Sequence, residues 1–442
     1  MIIFISFKQI KIINRKLNIL SKIMVDILKK AESNNNSNKI FTKTWIRDSH
    51  GLYDYESHSI SQNTITPSNN TYLYRVNDEV VISKTIINEP EKQFLAKISI
   101  DPKNNNTVTL STNVPKELPI NNETVTALQD QIWQVVKANS ITANSKPNRY
   151  HSNYIYELKK NDILKLGRVK FVVKDINIAG KKLEESDETF LPYEPANTNH
   201  KIAEGEVCRI CYMAEATDDN PMISICKCKG TMNLHLNCLQ MWLKSKLTVK
   251  EINDKPGVSY IVKQFNCEIC YDPYPVTIKN KDKLFNLINY EVPEGQNYVV
   301  LQSLNSVKEN LYPLAVHVLM FIDEGQSFTL GRGHESDIKI SDISVSRLHA
   351  RIFMKDDKFY MEDMCSKFGT LVLTKKPVVL EPNILLQIGR TLVLYKEDYK
   401  LEHKMKEKID DWKMEIDDMK MEENDKADGD NGDVNDLNNL HI

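Results

Sequence analysis

Nowhere in these 442 residues is there an apolar run of the ~18 residues that a membrane-crossing helix needs. The longest candidate, Leu311 to Ile322, is too short and contains Pro313 and His317. An excess of one charge is missing too: 58 Lys and Arg stand against 60 Asp and Glu, for a net of −2. No global basic field therefore argues for a nucleic-acid partner, and none is expected. The start, MIIFISF, is apolar but broken at Lys8, and no small-residue cleavage site follows, which argues against a secretory signal. Cysteine is scarce outside one segment: seven of the eight fall between Cys208 and Cys270, and Cys365 stands alone as an inert thiol. Disulfides of a secreted protein are thus a poor account, and a reducing compartment, cytoplasmic or nuclear, is expected.

The length suggests about three domains. Residues 1–40 read as an extension and linker, with seven Lys and Arg interleaved among Ile and Leu up to Lys30 and a second candidate start at Met24. Residues 41–178 are rich in Thr, Val, Ile, Tyr and Asn in short alternating runs, which predicts a β-rich domain with Asn-rich turns. Within it, Thr124 to Ala138 has helical periodicity. Residues 179–200 form a second linker, residues 201–278 the cysteine segment, and residues 296–399 a second β domain. The tail, 400–442, sets seven Lys against fourteen Asp and Glu; its first part suits a charge-paired helix and its end a disordered, solubilising stretch.

Two stretches echo each other. Asn161 to Asp175 reads NDILKLGRVKFVVKD and Pro382 to Glu397 reads PNILLQIGRTLVLYKE. Each suits a β-hairpin turning at Gly-Arg, so the N-terminal β domain is either a divergent copy of the C-terminal one or a convergent pair of ordinary hairpins.

The cysteine segment carries Cys208, Cys211, Cys226, Cys228, His235, Cys238, Cys267 and Cys270, separated by two, fourteen, one, six, two, twenty-eight and two residues. Two-residue gaps let one tight turn supply two of the four tetrahedral ligands of Zn²⁺, so the set makes two complete zinc sites. Interleaved sites are expected: Cys208, Cys211, His235 and Cys238 for one, Cys226, Cys228, Cys267 and Cys270 for the other. Both are closed, so no zinc catalysis is expected. Structural zinc contributes on the order of 10 kcal/mol to such core-poor modules.

The run Cys226-Lys-Cys228-Lys-Gly230, then His235-Leu-Asn-Cys238-Leu239, Trp242-Leu243 and the closing CEICYDPY resembles the RING-CH (RING-variant) class of ubiquitin-ligase domains. PHD fingers share the ligand types, with an aromatic two positions before the seventh ligand, here Phe265. The Cys-x-Cys pair and the Trp four residues after the sixth ligand favour RING-CH. The Cys228–His235 gap is one residue shorter than in that class, and the gap before Cys267 is long. The resemblance implies no catalytic nucleophile: a ubiquitin-charged conjugating enzyme is held in a reactive geometry. It implies an apolar contact with that enzyme through Ile210 and Trp242, the alternative being that both pack over the zinc loops. Many such ligases carry a basic residue after the last zinc cysteine, and here it is Tyr271.

Farther on, Gly331-Arg332, Ser346-Arg347 with His349-Ala350, and Gly369-Thr370 recur in the order and spacing of the forkhead-associated (FHA) domain, which the segment resembles. That family is a β-sandwich binding phosphothreonine peptides. The resemblance assigns Arg332 and Ser346 to the phosphopeptide and gives His349 a bracing role; Arg347 is expected to add a second charge there and Lys367 to reach the phosphate as well. The guanidinium and hydroxyl suit a phosphate dianion. The family's usual Asn before Gly-Thr is Phe368 here, whose side chain cannot hydrogen-bond a peptide.

The expected architecture is therefore mixed and mainly β: a cross-braced two-zinc RING-CH module between a β-rich N-terminal domain and a C-terminal FHA β-sandwich. The expected function is a ubiquitin ligase that recruits phosphothreonine proteins. The rivals are a zinc-stabilised phosphopeptide adaptor without ligase activity, and a chromatin reader if the zinc module acts as a PHD finger.

Overall fold

The computed structural model describes residues 39–47, 51–102 (without 88 and 90), 107–112, 131–137, 155–181, 196–197, 205–281 (without 229–232 and 253), 283–304 and 314–396 (without 375, 376, 382 and 383). The N-terminal extension and the acidic tail lie outside them. Among the described residues no helix is long and apolar enough to cross a membrane.

Among the described residues the N-terminal segment forms ten strands: β1 (Lys39–Trp45), β2 (Ile60–Ile65), β3 (Thr71–Val76), β4 (Glu79–Ser83), β5 (Lys92–Asp101), β6 (Thr107–Ser111), β7 (Ile132–Val136), β8 (Ile155–Glu157), β9 (Ile163–Leu166) and β10 (Val169–Asn177). The middle segment adds β11 (Ala196–Asn197), β12 (Met222–Ser224), β13 (Asn233–His235), helix α1 (Leu236–Ser245), β14 (Leu247–Glu251), β15 (Gly257–Val262), β16 (Thr277–Asn280) and β17 (Lys283–Asn286). The described residues of the C-terminal segment again form ten: β18 (Asn297–Leu304), β19 (Leu314–Phe321), β20 (Ser327–Gly331), β21 (Ile338–Lys339), β22 (Ala350–Lys355), β23 (Lys358–Asp363), β24 (Thr370–Leu373), β25 (Val378–Val379), β26 (Leu385–Ile388) and β27 (Thr391–Lys396).

These strands do not sort by segment. One twelve-stranded sheet runs β14-β15-β19-β18-β10-β9-β24-β7-β26-β27-β1-β2. Two five-stranded sheets, β21-β20-β22-β23-β8 and β25-β6-β5-β3-β4, also mix the segments. The pattern is a reciprocal exchange. Hairpin β9–β10 pairs with β24 and β18 of the C-terminal segment. Hairpin β26–β27 pairs with β7 and β1 of the N-terminal one. The short strands β8 and β25 cross over in the same way, onto β23 and β6. Apart from β14 and β15 at one end, the remaining ten strands of this sheet are arranged symmetrically about the β7–β24 pair, where Val136 faces Thr370 and Trp133 faces Leu373. The exchanged hairpins are the two echoing stretches, each with its Gly-Arg pair between the strands.

Each exchanged hairpin fills the other segment's core. Leu164, Leu166, Phe171 and Val173 pack with Phe328, Leu330, Ile352, Phe359 and Met361 under the C-terminal motifs. Leu386, Ile388, Val393 and Tyr395 pack with Leu73, Leu95, Ile98 and Leu110 in the N-terminal sandwich. The opposite face of the large sheet is apolar too: Trp133, Val135, Leu371 and Leu392 are buried there beside Leu52 and Tyr53 of the segment between β1 and β2.

The helix predicted over Thr124 to Ala138 is corrected where the structure describes it: Ile132–Val136 is strand β7. Lying at the sheet centre, it is buried on both faces, with Ile132 and Val136 in the sandwich cores and Trp133 and Val135 on the other side. A strand buried on both faces reads as a continuous apolar run, which periodicity does not separate from a helix.

Phe171→Ala, a change in the N-terminal half of the sequence, should destabilise the sandwich that carries Arg332 by about 3–5 kcal/mol in chemical denaturation. Between β15 and β19, buried His317 bonds to Ser259 Oγ at 2.8 Å. Burial pushes His317 down from 6.5 to about 4, so the folded protein favours the neutral ring. Its contribution is whole above pH 6.5 and is lost as the pH falls toward 4. His317→Gln should flatten the stability–pH curve in that window, measured by denaturation at a series of pH values.

Candidate functional site: two four-donor clusters and a cationic rim

The zinc-ligand segment has a small core in which Cys208, Cys228 and Cys267 pack with Ile223, Leu234, Leu236, Leu239, Leu243, Ile278 and Leu287. Strands β12 and β13 pair Met222 with His235, which brings the Cys226–Cys228 loop and the start of α1 together. Two similar turns supply the remaining cysteines. In Cys208-Arg-Ile-Cys211-Tyr212, the Tyr212 N–H donates to Cys208 O at 2.8 Å. In Cys267-Glu-Ile-Cys270-Tyr271, the Tyr271 N–H donates to Cys267 O at 2.9 Å. Both tyrosines adopt left-handed backbone, at φ 61° and 58°. This is costly for a bulky residue and is sustained by surroundings that over-determine it.

The eight predicted ligands fall into the two expected sets, Cys208, Cys211, His235 and Cys238, and Cys226, Cys228, Cys267 and Cys270. Within each set the donor atoms lie within 4.8 Å of one another. His235 Nδ1 faces Cys211 Sγ at 3.2 Å and Cys238 Sγ at 3.9 Å. Burial raises the Cys208 thiol, but backbone N–H donors from the turn and from His235 outweigh it and bring it to about 7. Cys267 is likewise raised by burial and lowered further by backbone N–H groups and the Arg209 guanidinium, to about 6. Burial and neighbouring sulfurs push Cys228 and Cys238 up to about 12. Thiolates this close repel one another, four in one set and three beside His235 in the other, and a dication removes that repulsion. The donor set and its closed geometry fit structural zinc.

Ile210 stands in the first of these turns, 41% exposed. Trp242, on α1, is half-buried: its ring meets Tyr274 edge-on at 6.4 Å, and Lys246 Nζ lies 4.0 Å from its centroid. Lys246 also pairs with Glu268. The neighbouring Met241, Ile269 and Tyr271 are exposed.

At the other site, strand β20 ends at Gly331 and turns out at Arg332. A Cβ on Gly331 would lie 2.0 Å from Arg347 O, so no larger residue fits where the two loops meet. The loops are stitched by Arg332 N to Ser346 O at 3.0 Å and Gly333 N to Arg347 O at 2.9 Å. Buried His349 accepts from Ser346 N at Nδ1, at 3.1 Å, and reaches Gly369 O from Nε2, also at 3.1 Å. Those partners require the neutral Nε2–H tautomer, and burial lowers the pKa accordingly. The Lys367 N–H donates to Ser346 Oγ at 3.0 Å. The side chains of Arg332, Arg347 and Lys367 are exposed around half-buried Ser346, so these loops form a cationic rim at one end of the sandwich.

Sequence reasoning missed the residues that brace this rim from the N-terminal half. Asp54 pairs with Lys367 at 3.2 Å, and Tyr55 N donates to Lys367 O at 3.2 Å. Lys137 donates to Ser366 O and stands 5.4 Å over the Tyr55 ring. On the other side, Arg168 N donates to Ser344 Oγ at 2.9 Å, and its guanidinium stands 3.6 Å from Asp342. Within the C-terminal half, Asp363 accepts from Ser366 Oγ at 2.5 Å and Thr370 Oγ1 at 2.8 Å. No local pattern marks the cross-half contacts; only the Gly-Arg echo pointed to that hairpin. Phe368, the departure from the family's Asn, packs 6.4 Å from Trp45 of β1, so it belongs to the junction between the halves.

Removing metal with a chelator should strip hydrogen-exchange protection from α1 and from β12–β13, while β20 and β22 keep theirs. Cys226→Ser should give the same local loss by mass spectrometry.

Comparison with known proteins agrees with both geometries. The RING-variant domain model matches residues 208–270 and the FHA domain model matches residues 328–392. The E3 ubiquitin-protein ligase MARCHF7 of Pongo abelii is 27% identical over 145 residues, covering 33% of this chain and 18% of the relative. The ERAD-associated E3 ubiquitin-protein ligase DOA10 of Saccharomyces cerevisiae is 34% identical over 109 residues, 24% of this chain and 7% of the relative. The chain thus matches less than a fifth of the length of these relatives. Among solved structures, the FHA domain of the CT664 protein from Chlamydia trachomatis is 29% identical, covers 18% of this chain and 84% of that one, and has a TM-score of 0.11. The chain carries a RING-variant domain over residues 208–270 followed by an FHA domain over residues 328–392.

Proposed function

We propose that this protein is a ubiquitin ligase that reads phosphothreonine. The observation that carries this reading is the joining, in one chain, of a RING-variant module with two four-donor clusters to an FHA sandwich with an exposed cationic rim. Each cluster holds one Zn²⁺, and each ion ties segments far apart in sequence. The ligase step uses no nucleophile from this chain. Ile210 and Trp242 contact a ubiquitin-charged conjugating enzyme, and the gain comes from orientation. At the rim, Arg332 and Arg347 supply guanidinium donors to the phosphate, Lys367 adds an ammonium, and Ser346 donates its hydroxyl proton. Because Phe368 replaces the peptide-binding Asn, affinity rests more heavily on the phosphate itself.

In the same reading, residues 41–178 are a divergent second copy of the sandwich, supported by the symmetric order of the ten strands flanking the β7–β24 pair. That copy lacks a Ser-Arg-x-His motif and has no phosphate site; its role is to complete and brace the other. One observation favours the rival adaptor reading. Lys246 covers the Trp242 face and pairs with Glu268, and an enzyme docking there has to displace it.

Ubiquitin discharge from a panel of charged conjugating enzymes separates the two. Acceleration by the wild type that falls at least about tenfold in Trp242→Ala, with metal content unchanged, supports the ligase; such a loss corresponds to about 1.4 kcal/mol. No acceleration across the panel supports the adaptor. In a phosphothreonine-peptide titration, Arg332→Ala should weaken binding by about 1.5–3 kcal/mol, as loss of a charged hydrogen bond does. Unchanged affinity removes the assigned site.

A further inference from the structure

Taking the ligase and reader roles proposed above as given, we propose that the β14–β15 hairpin is a ruler. It locks the zinc module to the FHA sandwich, so the preferred substrates are phosphothreonine proteins whose acceptor lysine lies at a set spacing from the phosphothreonine.

The 28 residues between Cys238 and Cys267 do not form a free loop. Helix α1 ends at Ser245, and Leu247 already starts β14. Strand β15 then pairs with β19 over six residues, from Gly257 opposite Leu319 to Val262 opposite Leu314. The zinc module's own chain is thereby the end of the twelve-stranded sheet. Modules joined only by a small polar interface move relative to each other; a continuous backbone ladder removes that freedom.

Side chains fasten both ends of the hairpin. At its base, Val262, Leu314 and Ile288 share a core with Phe265 and Val276. Phe265 meets Tyr274 edge-on at 6.0 Å, and Tyr274 meets Trp242, so one apolar path runs from the enzyme-contact helix to the sheet. At its tip, Ile252 is buried in the FHA core. Lys255 Nζ donates to Ser327 O at 2.7 Å and pairs with Asp337 at 2.6 Å. Asp337 also accepts from Thr329 N at 2.7 Å. Ser327 and Thr329 belong to β20, the strand that leads straight into Arg332. Gly257 permits the close fit: a Cβ there would lie 2.8 Å from Ile252 Cδ1 and 3.0 Å from Val318 O. A second tie runs through Asn286, whose O accepts from Gln240 of α1 at 2.8 Å and whose Oδ1 accepts from Lys174 of β10 at 3.2 Å. The hairpin therefore spans from the helix bearing Trp242 to the strand presenting Arg332.

With both sites fixed, a lysine tethered to a bound phosphothreonine reaches the charged enzyme best when its tether matches the span, and not at all when it is too short. The test uses the full chain, charged conjugating enzyme, and synthetic phosphothreonine peptides bearing one lysine after Gly-Ser spacers of increasing length. Wild type should leave the shortest spacers unmodified and pass through an optimum. Beyond it, a fourfold longer spacer should cut transfer about eightfold, following the −3/2 power of length. Replacing residues 248–261 with a Gly-Ser stretch of equal length, together with Asn286→Ala to cut the second tie to Lys174, should make the shortest spacers reactive, with peptide affinity and free-lysine discharge within about twofold of wild type. Should that variant not fold, Lys255→Ala, which loosens only the tip, should broaden the optimum toward shorter spacers. Equal transfer at all spacers by a wild type that binds the peptide and discharges ubiquitin would overturn the ruler alone. A wild type that does neither would overturn the ligase-and-reader roles, and the ruler with them.

Discussion

Backbone pairing between distant parts of the chain is the constraint on which the rest of this structure depends. A sheet edge exposes unpaired N–H and C=O groups, and each half leaves such an edge where its own last hairpin has departed. The other half's hairpin occupies it. Phe171 and Val173 thus sit beneath Phe328 and Met361, although more than 150 residues separate them in sequence. Neither sandwich is complete without the other, and the junction at β7 and β24 is continuous sheet.

That junction reaches into both functional sites. The rim loops of the FHA domain are held by groups from the N-terminal half: Asp54 and Tyr55 on Lys367, Lys137 on Ser366, Arg168 on the loop before Ser346. Phe368 makes an apolar contact with Trp45 across the junction. A site that needs guanidinium and hydroxyl groups held in place is well served by loops packed on a second body, because less freedom is lost when a ligand arrives. The zinc module joins the same sheet at its far end through β15. The cationic rim and helix α1 are thereby parts of one hydrogen-bonded framework.

The zinc module shows a different economy. Its buried core is small, and three cysteines count among its buried residues. The two Cys/His clusters fit zinc, which in such a module does the work that apolar burial does elsewhere, and their interleaved donors come from turns far apart in sequence.

Much of this was legible in the residues alone. Ligand spacing determined two four-donor sets, because tetrahedral coordination and tight turns allow few alternatives, and the structure groups the same residues. The motifs around Arg332, Ser346 and Thr370 marked loops that meet at one end of a sandwich, because each marks a local turn. Strand β7 was misread, since burial on both faces hides the period of a strand. The unusually long gap before Cys267 was visible as a length, but not as a hairpin docked on β19. The echo of the two Gly-Arg hairpins was visible as a pattern, but not as an exchange. Sequence determines which hairpin forms, since that is set by neighbouring residues; which sheet the hairpin completes depends on contacts over long separations, and only the tertiary structure decides it.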